Sequence, residues 1–127
     1  MQPMSPSERQ AHSSLPEDLF VELFAQVFGI DKVQLLAPQF PVEDIYGNGR
    51  FIDYALRTLD EHVAFEIDGL TWHHPDAIAI EKFEDSLLRQ NSLVHQGWRV
   101  FRWTDRELAA EPTATSSLRA VEVFWSD

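Results

Sequence analysis

The predicted fold depends above all on the segment RFIDYALRTLDEHVAFEIDG, residues 50–69, which contains two strand-forming runs joined by a short turn. Aromatic and β-branched residues are frequent in both runs, and TLDE has the composition of a turn. Two strands joined this closely pair antiparallel. If Tyr54 faces Phe65, then Asp53 faces Glu66 across the hairpin. The segment therefore predicts a hairpin that brings two carboxyl groups together at one end of a sheet.

The residues on either side of this hairpin predict an α/β fold. Ser14 and Glu17 form a capping box before apolar residues at helical spacing, so a helix begins the ordered part. A long amphipathic segment before the last strand implies a crossover, which makes that strand parallel to its partner and the sheet mixed. The predicted elements, in chain order, are a helix at about 15–28, strands at about 33–43, 50–57 and 62–68, a helix at 76–96, a strand at 97–103, a short helix after residue 104 and a weakly helical tail at 114–125.

The long predicted helix carries an apolar stripe on one face. A stripe of this kind usually packs against a sheet. Gln90 lies within the stripe, and a buried amide needs hydrogen-bond partners. Gln90 therefore either bonds to the backbone of the sheet or reaches the acidic residues. The apolar residues of the stripe are Ile80, Phe83, Leu87 and Val94.

The composition indicates one domain and restricts the sites it can hold. With 127 residues and 44% hydrophobic content, the chain has enough apolar mass for one core. We expect a disordered leader at 1–13 and a single domain at 14–127. The absence of cysteine excludes disulfides and thiolate metal sites, and it fits a reducing cytoplasm, where we expect the protein. No apolar run approaches the roughly 18 residues of a membrane-spanning helix.

The net charge of −11 bears on possible partners. Proteins whose main task is to bind nucleic acid are usually basic, because phosphate neutralisation dominates that affinity. An acidic chain can still act on nucleic acid where its carboxylates hold cations that bridge to phosphate. Positive charge also remains near the predicted strand ends, at Arg50, Arg99, Arg102 and Arg106.

Three carboxylates are predicted to converge on one patch of the sheet. Glu66 and Asp68 leave the same face of the third strand because successive side chains alternate, and Asp53 lies opposite them. Such a cluster is destabilised by like-charge repulsion unless it is compensated. A hard divalent cation, Mg²⁺ or Mn²⁺, prefers carboxylate oxygens and offsets the repulsion. The alternative is that the acids pair with nearby cations; the available ones are Arg50, Arg57 and Lys82.

RFIDYAL followed by VAFEIDG resembles the PD-(D/E)xK restriction-endonuclease-like superfamily, whose core has the same order of helix, three strands, helix and strand. FEDSLLRQNSLVHQGWRVFRWTDREL is similar to short nuclease-like proteins and to N-terminal nuclease-like domains of DNA helicases. IDGLTWHH is similar to the histidine-bearing segment of very-short-patch repair endonucleases. The resemblance covers about residues 14–110. It implies a restriction-endonuclease-like αβββαβ core that hydrolyses DNA phosphodiester bonds with Mg²⁺.

Within this resemblance, Asp53 matches the metal ligand of the second strand and Glu66 the acidic member of the third-strand motif. Asp68 stands where the superfamily usually has a catalytic lysine, which orients the attacking water and offsets charge in the transition state. Asp68 is instead a candidate third metal ligand. His73 or His74 is the candidate general base or acid, because histidine titrates near neutral pH.

The positive charge of the absent lysine then has to come from elsewhere, and Lys82 or Arg89 on the long helix are the candidates. Gln90 matches the helix glutamine that reaches the acid cluster in some relatives. The residues predicted to contact DNA are Arg50, Lys82, Arg89 and Arg102. A helicase motor, in the same or another chain, is a further partner that the resemblance implies.

Two functional hypotheses follow. The first is a Mg²⁺-dependent endodeoxyribonuclease with catalytic residues Asp53, Glu66, Asp68, His73 or His74, and Gln90, of which the three acids are the metal ligands. The alternative is a catalytically inactive nuclease-fold module for DNA handling or protein interaction, such as the N-terminal domain of a DNA helicase. A zinc site built on the two histidines is a weaker hypothesis, because adjacent side chains of an extended segment diverge.

Overall fold

A computed structural model describes residues 15–68, 77–109 and 112–124. In these ranges the chain forms four strands in one mixed sheet, flanked by helices, and none of the helices is long and apolar enough to cross a membrane. The strands are β1 (Ala37–Glu43), β2 (Gly49–Arg57), β3 (His62–Asp68) and β4 (Trp98–Thr104). The helices are α1 (Leu15–Phe28), α2 (Ile30–Val33), α3 (Ala77–His95), α4 (Asp105–Ala109) and α5 (Pro112–Arg119), and a 3₁₀ helix (Ala120–Phe124) follows.

The sheet has the strand order β1-β2-β3-β4. β2 pairs antiparallel with both β1 and β3, as short connections require, and β4 runs parallel to β3, as a crossover through α3 requires. Tyr54 pairs with Phe65, which is the register predicted for the hairpin. The prediction of an α/β fold with a mixed sheet flanked by helices is therefore confirmed.

One face of the sheet packs against α1 through an aromatic cluster. Phe20 and Phe24 lie one helical turn apart and are fully buried, and their rings lie 5.1 and 6.1 Å from the ring of Phe65 on β3. Trp103 on β4 stacks on the same ring at 6.1 Å. Leu118 of α5 belongs to this cluster too. Because side chains alternate along β3, burying this face turns the acidic face of the strand toward α3.

The predicted apolar stripe of α3 does not face the sheet, so that prediction was wrong. Its four residues, Ile80, Phe83, Leu87 and Val94, are between 39% and 57% exposed. The side turned to the sheet carries Leu93, which is 1% exposed, together with polar residues. Ser92 accepts a hydrogen bond from the Ile45 N–H at 3.0 Å, and Arg102 of β4 donates to Gln90 at 2.6 Å. These contacts with residues distant in the sequence set the rotation of the helix.

The first strand is shorter than predicted. It begins at Ala37 rather than near residue 33, because Ile30–Val33 forms the short helix α2. Gly29, between α1 and α2, has a φ of 99°, a left-handed conformation that glycine adopts without steric cost. Residues 33–36, which were predicted to begin the strand, therefore form the end of this helix and the turn that follows it.

Candidate functional site

Asp53 on β2 and Glu66 on β3 lie side by side at the end of the hairpin. The Asp53 Oδ2 accepts a hydrogen bond from the Ile67 N–H at 2.8 Å, and the Glu66 Oε2 accepts one from the Asp53 N–H at 3.5 Å. Each carboxyl group is therefore held by the backbone of the other strand. The juxtaposition that the register predicted is present, and the hairpin alone provides the backbone donors that hold it.

The regular alternation of β2 is interrupted at Asp53. Ile52 and Ala55 belong to the same buried cluster beneath α3, although an undistorted strand sends residues three apart to opposite faces. The ladder between β1 and β2 skips the pair formed by Gln39 and Asp53, and Gln39 has a left-handed φ of 49°. A non-glycine residue in this region is strained, and such strain is concentrated at functional sites. The irregular backbone therefore marks the position of Asp53.

Glu66 is buried in an environment that disfavours its charge. Only 1% of its surface is exposed, and its Oε1 has no hydrogen-bond partner among the residues that the structure describes. The Arg89 Nε of α3 lies 3.6 Å from this oxygen, which is too long for a hydrogen bond. Burial raises the pKa of Glu66 to about 8; the Arg89 guanidinium opposes the rise and the neighbouring Asp53 carboxyl adds to it. Burial therefore favours the protonated form of the Glu66 carboxyl.

Arg102 reaches the same face of the sheet from β4 and joins three elements. In the parallel register it pairs with Glu66, and its Nη2 donates to the Asp68 Oδ2 at 2.6 Å. Its Nη1 donates to the Gln90 Oε1 at 2.6 Å, and its Nη2 also donates to the Ser86 hydroxyl. Gln90 thus reaches the acidic cluster through Arg102 rather than bonding to the backbone of the sheet.

The predicted convergence of three carboxylates is only partly present. Asp53 and Glu66 are adjacent, but Asp68 is paired with Arg102 instead. Within residues 15–68, 77–109 and 112–124, no group of three acidic or histidine side chains lies close enough to hold one metal ion. Asp53 and Glu66 are therefore the candidate pair for a cation, and a ligand role for Asp68 stays a prediction.

Arg50, which was predicted to contact DNA, forms two ion pairs in the structure. Its Nε donates to the Asp44 Oδ2 at 3.0 Å and its Nη1 to the Asp85 Oδ2 at 2.8 Å. Burial tends to raise the pKa of Asp44, but hydrogen bonds from the Asn48 and Tyr46 N–H groups and from Arg50 hold it below its ordinary value. Arg50 therefore fastens the β1–β2 connection to α3.

Of the remaining predicted site residues, the structure describes Lys82 and Arg89 but not the two histidines. Lys82 is exposed on α3, and Arg89 is half-buried beside Glu66. His73 and His74 lie outside the described residues, as does the whole segment 69–76 that joins β3 to α3. Their part in proton transfer stays a prediction.

Sequence reasoning assigned no role to Asp44 or Ser86. Asp44 was detectable, because an aspartate that opens a glycine-containing turn commonly accepts hydrogen bonds from the backbone two residues on. Ser86 had no such signal: its partner, Arg102, lies 16 residues away on another element. The pairing of Arg102 with Asp68, which lies 34 residues earlier in the chain, likewise had no signal in the sequence.

Comparison with known proteins identifies no relative. The chain matches no protein-family model, no curated protein and no solved structure. Its function is therefore inferred from the chemistry of the side chains around Asp53, Glu66 and Arg102.

Proposed function

We propose that this chain is a metal-dependent DNA endonuclease domain with a restriction-endonuclease-like fold. The observation that carries the proposal is the adjacency of Asp53 and Glu66 on neighbouring strands, with one buried Glu66 oxygen left without a hydrogen-bond partner among the described residues. The order of helices and strands supports the fold assignment. DNA as substrate, and a helicase motor as partner, are implied by the sequence resemblance.

The carboxyl pair fits a divalent cation. Buried polar atoms nearly always have a partner, so the orphaned Glu66 Oε1 needs either a proton or a positive ion. Mg²⁺ and Mn²⁺ prefer carboxylate oxygens, and Asp53 and Glu66 supply them from two strands. When bound, such an ion polarises the scissile phosphate and lowers the pKa of the attacking water.

The other residues of the site have separate tasks in this proposal. Asp53 and Glu66 would hold the ion, and the Arg89 guanidinium beside Glu66 favours the ionised form of that carboxyl, which is the form that binds a cation. Lys82, exposed on α3, contributes to attraction of the DNA backbone. His73 or His74 transfers the proton.

A non-catalytic module is the second candidate function, and one observation favours it. Arg89 lies against Glu66 and Arg102 pairs with Asp68, so two of the three acids already have a cation beside them. A nuclease-fold domain that had lost its metal would be stabilised by these pairs. It would serve DNA handling or protein interaction, as in the N-terminal domain of a helicase.

Metal titration distinguishes the two functions. Thermal unfolding and nicking of supercoiled plasmid are followed with increasing Mg²⁺ or Mn²⁺, for the wild type and for Asp53→Ala and Glu66→Ala. The nuclease proposal expects metal-dependent stabilisation and cutting in the wild type, and loss of both in the two variants. Glu81→Ala, which removes an exposed acid of α3, is the control and should behave as the wild type. A wild type that shows neither response to metal supports the module.

A further inference from the structure

Arg102 lies where it could supply the positive charge that the superfamily usually takes from a lysine at the position of Asp68. We infer that Arg102 is a catalytic cation of this site: its guanidinium, delivered from β4, contacts the scissile phosphate beside the position that Asp68 occupies. This inference rests on the proposed nuclease function, and it assigns the predicted DNA contact of Arg102 to the scissile phosphate. It also changes the task of Asp68 from metal ligand to positioning residue for Arg102.

The sheet register places Arg102 next to the carboxyl pair. Its Cα partner on β3 is Glu66, and neighbouring strands lie about 4.8 Å apart, so both side chains project from one patch of one face. The guanidinium then bends toward Asp68, whose Oδ2 lies 2.6 Å from Nη2. The guanidinium therefore lies one hydrogen-bond length from the end of the Asp68 side chain. A lysine at position 68 would place its ammonium group in the same region.

Three contacts hold the guanidinium in place and leave it accessible. Gln90 and Ser86 of α3 accept hydrogen bonds from it on one side, and Asp68 accepts on the other. A guanidinium has five N–H donors, and these three bonds use three of them. The Arg102 side chain is 21% exposed, and the Asp68 side chain is 25% exposed. The group is thus oriented in advance, reachable from solvent and able to donate to a phosphate oxygen.

The other cations of the site are less suited to this task. The Arg89 Nε lies 3.6 Å from the Glu66 Oε1, so its charge serves the buried carboxyl. Lys82 is exposed on α3, and a flexible ammonium at the surface is not oriented in advance. Arg50 is held by Asp44 and Asp85. Arg102 alone among these four combines partial exposure with hydrogen bonds to both sides of the site.

A charge-relocation experiment tests this assignment. Single-turnover nicking of supercoiled plasmid in Mg²⁺ is measured for the wild type, Arg102→Gln, Asp68→Asn, and the double variant Asp68→Lys/Arg102→Gln. Removing a fixed charge that stabilises the transition state lowers the rate by about 100-fold or more, which is the expectation for Arg102→Gln. Asp68→Asn should cost less, because the asparagine oxygen still accepts from Arg102. The double variant, which moves the charge onto the third strand, should recover at least about tenfold over Arg102→Gln.

Controls separate chemistry from folding. Arg102→Gln keeps a hydrogen-bonding side chain next to Asp68, and circular dichroism with thermal unfolding checks that each variant is folded. Arg99→Gln changes an exposed arginine of the same strand and should cut within about twofold of the wild type. A purely structural role for Arg102 predicts no recovery in the folded double variant, since the Asp68→Lys change cannot restore the contacts to Gln90 and Ser86.

The outcomes distinguish this inference from the proposed function. A folded Arg102→Gln protein that cuts at the wild-type rate, or a folded double variant that regains nothing, overturns the role of Arg102 and leaves the nuclease proposal standing. A wild type that does not cut in Mg²⁺ or Mn²⁺ overturns both. Loss in Arg102→Gln with recovery in the double variant establishes the catalytic cation.

Discussion

Replacement of Glu66 by glutamine should change how stability depends on pH. In the folded protein the pKa of Glu66 is raised from an ordinary value of 4.5 to about 8, chiefly by burial. Between these two values the folded state keeps a proton that the unfolded state releases, so the unfolding free energy falls as pH rises. The stabilisation is complete below pH 4.5 and is lost progressively up to about pH 8.

The size of the effect follows from the same two values. One pKa unit corresponds to about 1.4 kcal/mol, so the steepest expected decline is about 1.4 kcal/mol per pH unit. From pH 5.5 to 7.5 the wild type should therefore lose up to about 3 kcal/mol relative to a protein without this carboxyl. Glutamine at position 66 is neutral throughout, so Glu66→Gln should remove this slope and be the more stable protein at pH 7.5.

Urea unfolding in the presence of EDTA measures the slope. Tryptophan fluorescence is a suitable signal because Trp98 and Trp103 are buried. Midpoints are compared at pH 5.5, 6.5 and 7.5 for the wild type, Glu66→Gln and the exposed control Glu81→Gln, which should follow the wild type. Equal slopes in the wild type and Glu66→Gln would refute the argument that the folded site holds a proton on Glu66.

Three further perturbations test the fold around the site. Leu93→Ala should lower the unfolding free energy by about 2–5 kcal/mol, because Leu93 is buried against the sheet. Leu87→Ala, on the exposed face of the same helix, should lower it by less than about 1 kcal/mol. Urea unfolding measures both losses, and equal losses contradict the observed rotation of α3. Asp44→Asn should lower the midpoint of urea unfolding at pH 7. The difference in midpoint between the wild type and this variant should shrink as the pH falls below 3.8, the ordinary pKa of an aspartate. The reason is that Asp44, whose pKa is lowered in the folded state, stabilises the fold only while it is ionised. Gln39→Gly should raise the unfolding free energy by up to about 1 kcal/mol, because glycine adopts the left-handed φ of 49° without strain; a destabilised variant in thermal unfolding contradicts this.

The hairpin that carries Asp53 and Glu66 was predictable because its information is local. The turn composition and the two short strand-forming runs lie within 20 consecutive residues, and the alternation of side chains then decides which ones meet. The pairing of Tyr54 with Phe65 follows from these features. The crossover rule similarly predicted the parallel direction of β4, since it depends only on the order of elements.

The rotation of α3 and the partner of Asp68 depend on contacts between residues far apart in the chain. An apolar stripe on a helix has no direction until another surface is present, and here Ser92 and Gln90 bond to residues of the β1–β2 connection and of β4. Asp68 and Arg102 meet only because β3 and β4 lie parallel and in register, across 34 residues of chain. Periodicity specifies which residues share a face, whereas long-range polar pairing chooses the face that is buried. That choice sets Arg102 beside the buried Glu66, where it pairs with Asp68.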